Sequence, residues 1–147
     1  MPMLPDARVP LLLDTHVWIW LMEGAEKELG KRTRAELQRG SSEGKLLVSV
    51  ISVWEVAMLH AKGRIRFSLD LDEWVQRALH GPGISMADLT PKIAIDSAQL
   101  PGTVQGDPAD RILIATARGT GACVATRDEK IISYGARGFL SVLDAAS

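Results

Sequence analysis

Apolar runs of strand length recur along the chain, at residues 9–13, 46–51, 122–126 and 139–143, with longer amphipathic stretches between them. Such continuous runs suit strands buried on both faces of a parallel sheet, since helices cover both sides of it. The stretches at residues 17–22, 27–39, 53–62, 71–79, 91–100 and 109–118 carry apolar residues at helical spacing. Strands alternating with helices predict a three-layer α/β/α fold with a mainly parallel central sheet. Thr90 before Pro91 and Asp107 before Pro108 each place a capping side chain ahead of a proline at the first helical position. Residues 40–44 and 101–106 read as loops from their Gly, Ser and Pro content.

A chain of 147 residues is long enough for one buried core, so a single domain over residues 1–147 is expected, with residues 1–8 a flexible extension. The 17 Lys and Arg nearly cancel the 18 Asp and Glu, which excludes the global basic field of a polyanion-coating protein and leaves a local patch for any nucleic-acid contact. Cys123 is the single cysteine and sits in an apolar run, as expected of a buried thiol in a reducing cytosol. The first ten residues lack the basic-then-apolar design of a secretory signal. The most apolar window, residues 9–22, is interrupted by Asp14, Thr15 and His16. A cytoplasmic protein without a membrane span is expected.

In parallel sheets ligands bind beyond the carboxyl ends of the strands, and acidic residues fall at those ends. Asp14 follows the first apolar run directly and Asp128 comes two residues after the third. Glu55 is expected in the first turn of the helix after the second run, and Asp110 in the first turn of the helix opened by Asp107 and Pro108. Each has a structural alternative. Ser52 and Glu55 match a capping box, the helix dipole favours Asp110, and Asp128 can open a turn. Asp107 is expected to be the cap of its helix. Asp14 is harder to place structurally, because a carboxylate between two apolar segments is costly to bury without a partner.

Four carboxylates at one sheet edge repel one another unless a cation holds them. Hard oxygen donors point to Mg²⁺, or Mn²⁺ in its place, rather than zinc. His16, His60 and His80 are scattered without H-x-x-x-H spacing; His16 is close enough to Asp14 to line the site, and otherwise starts or packs a helix. Mg²⁺ and Mn²⁺ act on phosphates by polarising the phosphoryl oxygen and lowering the pKa of a bound water.

With these residues in view, the chain resembles the PIN-domain family, and within it the VapC-type toxins of bacterial toxin–antitoxin pairs. The resemblance rests on LLLDTHVWIW from Leu11, VSVISVWEVAMLHAKGRIRF from Val48, LTPKIAIDSAQLPG from Leu89, GDPADRILIATA from Gly106 and VATRDEKIISYG from Val124. It implies a Rossmann-like topology, with Asp14, Glu55, Asp110 and Asp128 as catalytic, metal-holding acids and Thr15 and Thr126 in support. It also implies endonucleolytic cleavage of RNA by a metal-activated water, leaving a 5′-phosphate and a 3′-hydroxyl, together with homodimers silenced by a small cognate antitoxin. The family often has a large aromatic where Ala109 stands, so packing beneath that turn differs here.

Arg111, Arg127 and Lys130 are candidate RNA contacts beside the acids, joined by Lys62, Arg64 and Arg66, with ordinary solvated charge as the alternative. No aromatic-interleaved basic platform is visible in the sequence. Trp18 and Trp20 lie two apart in one helix and cannot share a face, so one is expected in the core and the other free for a partner. Two further functions stay open: a catalytically weak PIN-like module that binds RNA or protein, and a phosphatase or phosphoacceptor domain. The second is disfavoured by the absence of a D-x-D pattern at Asp14.

Overall fold

The structure is a computed structural model and describes residues 9–104 and 106–147; the extension expected at residues 1–8 lies outside them. Its spine is β1 (Leu11–Leu13), in which every side chain is fully buried. Helix α1 (Thr15–Glu23) follows at once, and after a 3₁₀ turn at Glu26–Glu28 the chain enters α2 (Lys31–Glu43), β2 (Leu46–Ser49) and α3 (Val50–Ala61). Helix α4 (Leu71–Leu79), β3 (Ile84–Ala87), α5 (Pro91–Ala98), α6 (Pro108–Thr120), β4 (Cys123–Thr126), α7 (Glu129–Ala136) and β5 (Val142–Asp144) complete the order.

The strands form one sheet in the order β3-β2-β1-β4-β5, and every pairing is parallel. Alternation along β1 shows why layers form on both faces. Leu11 and Leu13 point into a core with Val17 and Trp18 of α1, Leu37 of α2, Val56 of α3 and Trp74 of α4. Leu12 points the other way, into a second core with Leu113 and Ile114 of α6 and Ile131 and Tyr134 of α7. A strand lined by leucine on both sides is stable only when both sides are covered, so the expected three-layer single domain is what the chain forms.

Several boundaries differ from expectation. Residues 40–43 continue α2 instead of forming a loop, and only Gly44 turns the chain, in the left-handed conformation at φ 68°. Gly40 is needed where the helix passes β2: a β-carbon there would stand 2.6 Å from the Leu46 side chain. Strand β2 ends at Ser49, and α3 starts there, three residues before the expected cap. The last strand is β5 at residues 142–144, displaced from the expected 139–143 because Phe139 and Leu140 pack on the second core ahead of it. Strand β3 and helix α7 were not expected. The strand's burial is incomplete, as befits an edge, so its sequence carries no continuous apolar run. No helix among the described residues is long and apolar enough to cross a membrane.

Candidate active site

The carboxyl ends of β1 and β4, adjacent and parallel, face the N-terminal turns of α1, α6 and α7, and the acids stand there. Asp14 continues the ladder by donating its amide to the Ala125 carbonyl at 3.0 Å. It then caps α1, with Oδ1 accepting from the Thr15 amide at 2.7 Å. Its other oxygen, Oδ2, accepts from the Thr126 hydroxyl at 2.5 Å. The same hydroxyl oxygen accepts from the Asp128 amide at 2.9 Å. One threonine at the end of β4 thus ties the first acid to the backbone of the fourth. Asp128 in turn caps α7, accepting from the Lys130 amide at 2.8 Å, so the expected turn is a helix start.

Glu55 is placed by a different logic from the one expected. The cap of α3 is Ser49, whose hydroxyl accepts from the Ile51 amide at 3.1 Å, so Ser52 and Glu55 are not a capping box and Glu55 lies in the second turn. Residues three apart share a helix face, and both side chains turn toward α1. The Thr15 hydroxyl donates to Glu55 Oε1 at 2.7 Å and lies 3.0 Å from Ser52 Oγ. With a single proton, given to the carboxylate, Thr15 receives its second bond from Ser52. Ser52 is fully buried. Sequence alone did not single it out as a support; its spacing from Glu55 was the available signal.

Asp107 caps α6 as expected, accepting from the Asp110 amide at 2.9 Å. That leaves the Asp110 side chain free of capping duty in the first turn. Gly106 makes room beside it, since a β-carbon there would stand 3.0 Å from the Asp110 β-carbon. Ala109 is buried beneath the turn, where a small side chain suffices.

Electrostatics place these acids in one neighbourhood. Burial pushes the Asp110 carboxyl up to about 7, reinforced by the charges of Asp107, Asp128, Asp14 and Glu55. Glu55 is raised by burial and by Asp14, Asp107 and Asp128, against the Thr15 hydrogen bond. Asp14 is also raised, burial outweighing its bonds to Thr126 and Thr15. Among the described residues none of the four is in an ion pair. Nor does any group of three acidic, histidine or cysteine side chains there stand close enough to enclose a metal ion as it is. The acids share a field without touching, as like charges on separate elements do when nothing neutralises them. An all-oxygen, uncompensated set of this kind suits a hard divalent cation.

The expected cationic contacts divide. Arg111 is half-buried, its guanidinium donating to the carbonyls of Ser97 at 2.9 Å and Val104 at 3.5 Å, which fastens the end of α5 and the following loop. Arg127 is exposed and paired with Glu28 at 3.1 Å. Lys130 is exposed on α7, where it lines a hollow of about 310 Å³ with Ser133, Tyr134 and Arg137. Lys62, Arg64 and Arg66 are exposed and follow the end of α3, with Lys62 about 10 Å along the helix axis from Glu55. His16 is exposed in the first turn of α1, while His60 and His80 lie on other elements.

The profile of the PIN domain matches residues 11–136. Ribonuclease VapC22 of Mycobacterium tuberculosis is 32% identical over 124 residues, spanning 84% of this chain and 91% of that protein. The fold is similar to a chain in the crystal structure of VapBC2 from Rickettsia felis bound to a promoter DNA fragment, with a TM-score of 0.63 at 12% identity, covering 92% of this chain and 98% of the other. It is also similar to a chain of a toxin–antitoxin complex from Klebsiella pneumoniae, with a TM-score of 0.58 at 23% identity, covering 90% and 95%.

Proposed function

This chain belongs to the PIN domain family, and from that premise we propose that it is a divalent-metal-dependent endoribonuclease acting as the toxin of a toxin–antitoxin pair. The observation that carries the proposal is the meeting of Asp14, Glu55, Asp110 and Asp128, drawn from four separate elements, in one electrostatic neighbourhood beyond β1 and β4. A structural explanation by capping accounts for Asp14 and Asp128 but leaves Glu55 and Asp110 as half-buried acids that form no ion pair among the described residues.

In the proposed site Asp14, Glu55, Asp110 and Asp128 would hold Mg²⁺, or Mn²⁺ in its place. The cation, when bound, supplies neutralising charge for a scissile phosphate and a water acidified for attack. The protein's own contribution is orientation. Thr126 fixes one oxygen of Asp14 and the Thr15 amide the other, so that carboxylate is held rigidly in one plane. Thr15 fixes one oxygen of Glu55, leaving Oε2 to turn toward the cleft. Asp110, its carboxyl raised to about 7, would hold the cation in its ionised form. Hydrogen-bonded supports of this kind typically contribute about 10- to 100-fold to metal affinity or activity.

The likeness to VapC22 and to chains from toxin–antitoxin complexes supports a cognate antitoxin as partner. Trp54 and Ile95, exposed by 55% and 59%, are large apolar side chains in water and supply anchors for such association. The decisive experiment is cleavage of RNA by the purified chain with and without Mg²⁺. Cutting is expected only with the cation, and Asp14→Asn is expected to abolish it with the thermal transition retained. Cutting by the substituted chain at the original rate overturns the site, whereas RNA bound but never cut favours a binding module.

A further inference from the structure

We propose that His16, Trp20 and Arg127 form a stacking site for an unpaired nucleobase of single-stranded RNA at the rim of the acidic cluster; the inference rests on the ribonuclease reading above. Helix α1 sets His16 and Trp20 one turn apart on one face. Their ring centroids are 5.7 Å apart and tilted by 47°. The Arg127 guanidinium carbon lies over the Trp20 ring, 5.6 Å from its centroid. Arg127 is steered there by Glu28, whose carboxylate and carbonyl accept from it at 3.1 and 3.4 Å. A histidine ring, an indole and a guanidinium plane are thus arrayed together, and such surfaces stack nucleobases of any identity.

Location links this array to the acids. His16 stands two residues after Asp14, while Arg127 lies between Thr126 and Asp128. The array therefore spans both strand ends that carry the site. His16 and Arg127 are exposed and Trp20 is half-buried, in contrast to Trp18, which is fully buried in the core. An exposed ion pair such as Arg127 with Glu28 contributes little to stability, so folding gives small reason for this arrangement. Substrate binding gives a better one. The acids repel a phosphate backbone, and with a formal net charge of −1 the chain has no global field to overcome that repulsion. Stacking holds a nucleotide by its uncharged base and places the neighbouring phosphate over the cleft.

The test uses the full chain with Mg²⁺ and short oligoribonucleotides in which one base at a time is removed, leaving the ribose. It is paired with photocrosslinking to a 5-iodouridine version in the absence of Mg²⁺, so that the RNA stays whole. Loss of one particular base beside the cut is expected to raise KM about tenfold, with a smaller change in kcat. In His16→Ala the same loss should change KM by less than about twofold, and His16→Tyr, which keeps a ring, should restore the sensitivity. Crosslinks should map to residues 16–20. Equal sensitivity to base removal in the parent chain and His16→Ala, or crosslinks confined to other segments, overturns the stacking site while leaving the nuclease intact. Crosslinking at residues 16–20 without any cleavage supports the stacking site and sinks the nuclease reading. A chain that neither binds nor cuts RNA removes both.

Discussion

Asp110 shows most directly what the cluster costs the folded chain. Its carboxyl titrates near 3.8 in an unfolded chain and at about 7 in the folded one, so between those values the folded state holds a proton that the unfolded state has lost. Stability therefore falls as pH rises through that window and levels off above 7. Asp110→Asn removes the charge and is expected to stabilise the metal-free protein at pH 8 by about 1 kcal/mol, allowing for solvent screening, while cleavage is lost. Thermal melts with parallel activity assays check both. A second expectation follows from the same proton. Mg²⁺ must displace it, so calorimetric titration at pH 6 should report proton release that depends on the buffer's ionisation heat and fades by pH 8. At Thr126, substitution by Val removes a hydroxyl that donates to Asp14 and accepts from the Asp128 amide. Cleavage should fall about 10- to 100-fold, with a stability loss of about 1–3 kcal/mol from the unsatisfied partners.

At the scale of elements, the acids are delivered by strand ends and by helix starts. Asp14, Asp107 and Asp128 cap α1, α6 and α7, so those side chains also fix where each helix begins. Ser49 does the same for α3, and Ser49→Ala should cost about 1 kcal/mol in chemical denaturation and shift Glu55 relative to Thr15. The apolar runs made β1, β2 and β4 legible because those strands are buried on both faces, and the proline-led starts of α5 and α6 were legible because proline fixes the first turn. Strand β3 was not, since an edge strand with exposed Ser85 and Met86 has no distinctive periodicity. The start of α3 was misplaced because Ser49 and Ser52 are equally good caps in sequence, and only the end of the β2 pairing at Ser49 chooses between them. Asp14, Asp110 and Asp128 stand at the element ends expected of them, and Glu55 one turn further along its helix; Thr15 and Thr126 were suggested only by the family resemblance and Ser52 not at all, because their contacts join residues 37 to 112 apart in sequence, which no local pattern records.

Across the whole molecule, two cores clamp one sheet and leave the acids beyond the carboxyl ends of its inner strands β1 and β4. Cation binding should therefore raise the melting temperature of the entire domain, more at pH 8 than at pH 5, where protons already neutralise part of the cluster. Differential scanning calorimetry across that range checks the sign. The exposed Trp54 and Ile95 carry the expectation of self-association: light scattering should report a dimer, shifted toward monomer by Trp54→Arg with Ile95→Arg. Strand order has one more consequence. The central strand, β1, is made early, but its neighbour β4 and the acids Asp110 and Asp128 come about a hundred residues later in the chain. On the proposed activity, a chain still emerging from the ribosome lacks half of its acids and cannot cut RNA until α6, β4 and the start of α7 have been made.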